Sequence, residues 1–242
     1  MTSTARSGSA QTGTAVRRVG FGLSMILAPL LWLASAALGP PHRASKHLAD
    51  ELPHIAADPD RYLAATLVGV LSFALFVPAV LGVAHVLREQ RPLLALSGAA
   101  LAVVGILSSA VIHGVQFVQH QMIDVAADRG QMVALLQRTE AGTGLKVTFV
   151  IFILGLLVGW LILSAALFVT RVVPRAIPVL IVVSFMVNFV KPEFGIVSRL
   201  VFLIGLGWLG VLVVRTQQDG QLSAEPTAGP CPKGASINCL MG

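Results

Sequence analysis

The sequence predicts an all-α fold, a polytopic bundle of six transmembrane helices with both termini in the cytoplasm. Three observations carry this reading. Of 242 residues, 55% are hydrophobic before 23 glycines are counted, and only 12% are charged, about half the roughly 25% of soluble domains. The mean hydropathy is +0.83, and the apolar residues gather into six runs able to cross a hydrocarbon core of about 30 Å. Lysine and arginine also alternate in number between successive loops, the pattern that orients membrane proteins. Such a composition excludes a disordered chain, a secreted disulfide scaffold and an ordinary soluble enzyme.

Residues 1–18 read as a flexible basic leader rich in Ser, Thr and Gly, and 19–38 as the first span. That span ends in Ala34-Ser35-Ala36, the outline of a signal-peptidase site. Its apolar run exceeds the roughly 7–15 residues of a signal peptide, so it is read as a retained helix. The second span, 62–87, follows Asp58-Pro59, a side-chain cap and a proline suited to a first helical turn. Pro78 should bend it. The third span is 92–118, with a helical pattern continuing to Asp124. In the fourth, 145–169, Gly155-x-x-x-Gly159 permits close approach of a neighbouring helix. The fifth, 172–190, is shaped at its start by Pro174 and Pro178. The sixth, 196–214, carries Arg199, expected to snorkel to the interface. Residues 131–138 are expected to form a short interfacial helix. The six helices make one domain over 19–215, and 216–242 read as a disordered cytoplasmic tail holding Cys231 and Cys239.

Orientation follows from the loops. The leader, the two short turns around Arg88/Arg91 and Arg171/Arg175, and the tail together carry the whole net charge of +6, while the opposite side balances to zero. The positive side is expected to be cytoplasmic. This distribution accounts for the pI near 10.2 without nucleic acid as a partner.

The third span holds the most informative pattern. Ser109, His113, Gln116, His120 and Asp124 stay within about 80° of one another at about 100° per residue, a polar stripe along one helix face. Unpaired polar groups in lipid are costly, so the stripe is expected to face other helices or a cavity. At matching depth lie Phe117 on the same helix, Phe149 and Phe152 on the fourth, and Phe185, Asn188 and Phe189 on the fifth. Together they are expected to line a substrate pocket with an aromatic wall and a polar one; simple helix packing is the competing account of each pair. Asp124 and Glu193 are the candidate acids at its rim, and His113 and His120 the candidate bases. A fallback pair, His85 and Glu89, stands four residues apart on the cytoplasmic side, where the two side chains can meet. His42, His47 and His54 gather with Asp50 and Glu51 on the outer side, but no metal motif is formed. No metal and no cofactor is expected. Phosphate-binding loops, zinc-protease helices, nucleophile elbows and dinucleotide motifs are missing from the sequence, as are the aspartate-rich pairs with which membrane prenyltransferases hold magnesium.

The short basic inner turns, the long polar outer loops and the Val173-Pro174-Arg175 lead into the fifth helix resemble small six-helix bacterial integral membrane proteins of unknown function, over about residues 19–215. In layout alone the chain is also similar to membrane-embedded terpene cyclases. That second resemblance implies metal-independent protonation of an isoprenoid-type substrate. The expected function is therefore the handling of a lipophilic small molecule in an intramembrane cavity of the cell membrane, as an isomerase or cyclase if it is an enzyme. The alternatives are a non-enzymatic accessory or scaffolding role and, third, a small transporter. A transporter would normally place acids or broken helices near the midplane; here the acids lie near the interfaces.

Overall fold

The computed structural model describes residues 7–39, 52–124, 129–190 and 194–222, with backbone alone for 7–18, 54, 124, 129, 189 and 216–222. Eight helices and no strand occur among these residues: α1 (Ser7–Leu38), α2 (Leu52–Ala57), α3 (Pro59–Leu87), α4 (Pro92–Asp124), α5 (Arg129–Ala141), α6 (Thr143–Thr170), α7 (Ala176–Val190) and α8 (Gly195–Leu222). Five of them are long and apolar enough to cross a membrane, and α7 is a shorter apolar helix. The chain is an all-helical, multi-pass membrane protein. Leu93, Leu96 and Leu107 are among many large side chains left exposed on its outside, a surface that suits lipid rather than water.

The helix starts and stops have local causes. Asp58 caps α3 by accepting from the Arg61 N–H at 3.2 Å, and Pro59 occupies the first turn. Arg61 reaches back to the end of α1, donating through Nε to the Leu38 carbonyl at 2.8 Å and through Nη2 to Ala37 at 3.1 Å. A cation on the last carbonyls satisfies orphan acceptors and complements the helix dipole. Pro29 and Pro78 lie inside α1 and α3 without ending either helix. The backbone of α1 is already helical from Ser7, within the stretch read as a flexible leader, and α8 continues to Leu222.

The fifth span begins later than its hydrophobicity suggests. α6 ends at Arg171, whose φ of 55° puts it in the left-handed region, with its N–H on the Leu167 carbonyl at 3.2 Å. Residues 172–175 then bend and turn before α7, because Pro174 lacks an N–H and pushes Val173 away from helical geometry. At 15 residues, α7 extends only about 22 Å.

α1, α3, α4, α6, α7 and α8 each pack on the next, and α8 returns to α1, so the helices close into a ring. Neighbours run antiparallel. The short helices α2 and α5 pack at the end of the ring where α1 stops and α3 starts, called here the α2/α5 end.

Small residues set the tightest contacts. A Cβ added at Gly159 would fall 2.5 Å from the Ala102 nitrogen, and one at Gly155 would fall 2.9 Å from Gly105 Cα. The spacing noted in the sequence is thus the α4–α6 interface. Gly22 meets Gly210 in the same way between α1 and α8. Between α1 and α3, Ser35 donates to the Ala65 carbonyl and Ser72 to Ala28, each at 2.8 Å. Without a hydrophobic driving force between helices in lipid, close packing and interhelical hydrogen bonds hold such a ring together.

Candidate functional site

Inside the ring, towards the α2/α5 end, lies a cavity of about 270 Å³. Its walls come from α1 (Trp32), α3 (Phe73, Phe76), α6 (Phe149, Phe152, Ile153, Leu156, Trp160), α7 (Phe185, Asn188) and α8 (Phe202). Eight of the fifteen aromatic residues in the chain therefore surround one space. Phe202 is the hub. Its ring meets Trp160 and Phe185 edge-on at 5.3 Å and Trp32 at 5.8 Å, with Phe76 also at 5.8 Å. Edge-to-face contacts at these separations fix ring orientation and add to simple area burial. Phe149 is half exposed and meets the ring of Phe152 at 6.2 Å.

Four residues read from the sequence, Phe149, Phe152, Phe185 and Asn188, line this cavity together. Asn188 also accepts from Ser198 Oγ at 3.2 Å, tying α7 to α8. Phe117 does not join them: it lines a shallow groove with Met122 and with Met132 of α5. The side chains of Asp124 and Phe189, and the whole of Glu193, lie outside the described residues, as do His42, His47, Asp50, Glu51 and the His54 side chain. Among the described residues no group of three His, Cys, Asp or Glu converges as a metal site would require.

The polar stripe of α4 faces the bundle but takes no part in the aromatic lining. At His113 it turns towards α3, where a Cβ added at Gly69 would fall 3.0 Å from the imidazole. Ser109 is buried and bonds to its own helix at the Ile106 carbonyl. The His113 ring packs edge-on against Phe73 at 5.3 Å, behind the cavity wall. Its Nδ1 lies 2.7 Å from Gln116 Oε1; the amide oxygen only accepts, so Nδ1 carries the proton and Gln116 keeps its NH₂ for another acceptor. His120 has a buried Nδ1 without a hydrogen-bond partner.

A second, smaller pocket of about 140 Å³ adjoins the aromatic one and shares Trp32 and Phe73 with it. Gln116, Ser35, Tyr62, Thr66 and Arg199 contribute its polar groups. Arg199 is half-buried, one turn into α8. Its guanidinium lies 4.8 Å over the Trp32 ring, and its Nε is buried without an acceptor. The indole face offers the cation electrostatic compensation inside the bundle. Beside this pocket, Tyr62 donates to the fully buried Gln119 at 3.0 Å.

At the other end of the ring, His85 and Glu89 line a cavity of about 340 Å³ with Phe21, Val173 and Leu209. The His85 ring stands 6.2 Å from that of Phe21. The fallback pair is therefore far along the ring from the aromatic cavity.

The sequence reading missed Trp32, Phe73, Phe76, Trp160, Phe202 and Arg199. Only Arg199 stood out, as the single charge within its apolar run. The aromatics are spread over α1, α3, α6 and α8, and no local spacing links them. No protein-family model, curated protein or solved structure matches this chain.

Proposed function

We propose that the chain spans the membrane six times, with both termini cytoplasmic, and holds a lipophilic small molecule in the aromatic cavity. The charge difference between the two sets of loops supports the orientation, and the apolar stretch 172–190 supports counting α7 with its lead-in as a span. The observation that carries the binding role is the enclosure of one space within the bundle by eight aromatic rings. A volume near 270 Å³ is close to the lower end of the roughly 300–1,000 Å³ of small-molecule sites, which are likewise mostly apolar with few polar groups.

The test is extraction of the purified protein with organic solvent and mass spectrometry of what is released, set against Leu156→Trp, which fills the cavity from α6. A lipophile enriched with the wild type and lost from a stably folded variant supports the reading. The same lipids from both proteins would refute it.

The aromatic enclosure favours one second reading, cyclisation or isomerisation of an isoprenoid-type substrate, because aromatic faces stabilise cations. In that reading Asp124 or Glu193 protonates the alkene and His113 or His120 takes the final proton. Membranes carrying Asp124→Asn or Glu193→Gln would then lose a product that the wild type forms from extracted lipophiles. No product with any of the three, relative to empty membranes, would leave the protein as a binding or accessory component.

A further inference from the structure

We infer that the lipophile is an anionic amphiphile, with its apolar tail in the aromatic cavity and its oxyanion head on Arg199 and Gln116. The inference rests on the binding role proposed above and names its ligand class.

The two pockets are neighbours with shared walls, Trp32 and Phe73. One is lined almost wholly by aromatic and aliphatic groups, and the other holds hydrogen-bond donors. Arg199 and Phe202 stand three residues apart on one face of α8, so a single helix presents the cation to the polar pocket and a ring to the apolar one. The other polar side chains are occupied: Ser35 bonds to Ala65, Thr66 to the Tyr62 carbonyl, and Tyr62 to Gln119. Gln116 has its oxygen held by His113, which leaves its NH₂ as a donor. The Arg199 guanidinium lies over the Trp32 face, and among the described residues its buried Nε meets no acceptor. No carboxylate lines either pocket among the described residues. Arg199 is half-buried, and a cation withdrawn from water without an anion carries a cost. A planar guanidinium presents paired donors matched to a carboxylate or phosphate. An oxyanion on an apolar chain would meet both needs at once, and a neutral lipophile would leave Arg199 as it stands.

Two of the three tryptophans, Trp32 and Trp160, line the cavity, and the third, Trp208, is exposed on the bundle surface. In a Trp208→Phe background, quenching of tryptophan fluorescence by a tail-brominated amphiphile therefore reports cavity occupancy. The protein is placed in zwitterionic lipid nanodiscs and titrated with a tail-brominated long-chain carboxylate and with the matching primary alcohol. The carboxylate is expected to quench at a concentration at least about tenfold lower than the alcohol, the increment of a charge-assisted hydrogen bond. Arg199→Gln should bring the carboxylate to the level of the alcohol and leave the alcohol unchanged, while Arg199→Lys keeps part of the preference. Inorganic phosphate should not displace the carboxylate; displacement at similar concentration would mean a site for free anions and overturn the amphiphile. Equal affinity for acid and alcohol in the wild type, or a preference that survives Arg199→Gln, overturns the inference and leaves the lipophile cavity standing. Absence of quenching by both probes refutes the cavity reading as well. Should Arg199→Gln fail to fold, the wild-type comparison of acid and alcohol decides alone.

Discussion

Replacing Gly159 by alanine should drive α4 and α6 apart. The new Cβ would lie 2.5 Å from the Ala102 nitrogen and 2.8 Å from both Cα and Cβ of that residue, where ordinary contact begins near 3.4 Å. Two of these three atoms are backbone and cannot rotate away, so the helices must separate locally by close to 1 Å. A gap of that size forfeits about a quarter to a half of each dispersion contact along the seam. Overpacking of this kind costs about 1–3 kcal/mol, offset by the roughly 0.5–1 kcal/mol that alanine gains over glycine in a helix. The net expectation is a loss of about 0.5–2 kcal/mol, read from denaturant or thermal unfolding in micelles by circular dichroism. Gly114→Ala is the control, since nothing lies within 4 Å of a Cβ there; it should be neutral or slightly stabilising. Adding Ala102→Gly to Gly159→Ala should restore only part of the loss, because the contact with the Ala102 nitrogen remains. Equal stability of Gly159→Ala and Gly114→Ala would refute the reasoning.

Three further outcomes are expected. Tyr62→Phe removes the donor to fully buried Gln119 and should cost about 1–3 kcal/mol; a double-mutant cycle with Gln119→Leu should show coupling, and additive losses would deny it. Arg171→Gly should stabilise the protein by about 1 kcal/mol, because glycine removes the steric cost of the left-handed conformation at φ 55°, whereas Arg171→Ala should not. With Cys231 and Cys239 replaced by serine, single cysteines at Gln90 and Val172 should react with an impermeant thiol reagent only after cells are opened; labelling in intact cells would invert the proposed orientation.

What could be read from the chain was whatever is written locally along one helix. Hydrophobic run length determined the all-helical, multi-pass class, and Asp58-Pro59 the start of α3. The Gly155–Gly159 spacing marked a close helix contact, and the period of α4 marked a polar face turned from lipid. Local pattern was a poorer guide where backbone chemistry cut across hydrophobicity. Val172 and Val173 are apolar enough to extend α7, yet Pro174 bends them out of it. Only the tertiary structure decided which faces meet. In an apolar chain nearly every helix face is hydrophobic, so periodicity does not say which phenylalanines turn inward. Phe149 and Phe152 reached the cavity and Phe117 did not because ring closure, set by small-residue contacts between helices distant in sequence, fixed the rotation of each helix. The same closure brought Trp32 of α1 under Arg199 of α8, 167 residues apart in sequence. No local spacing in the sequence could pair that cation with that indole.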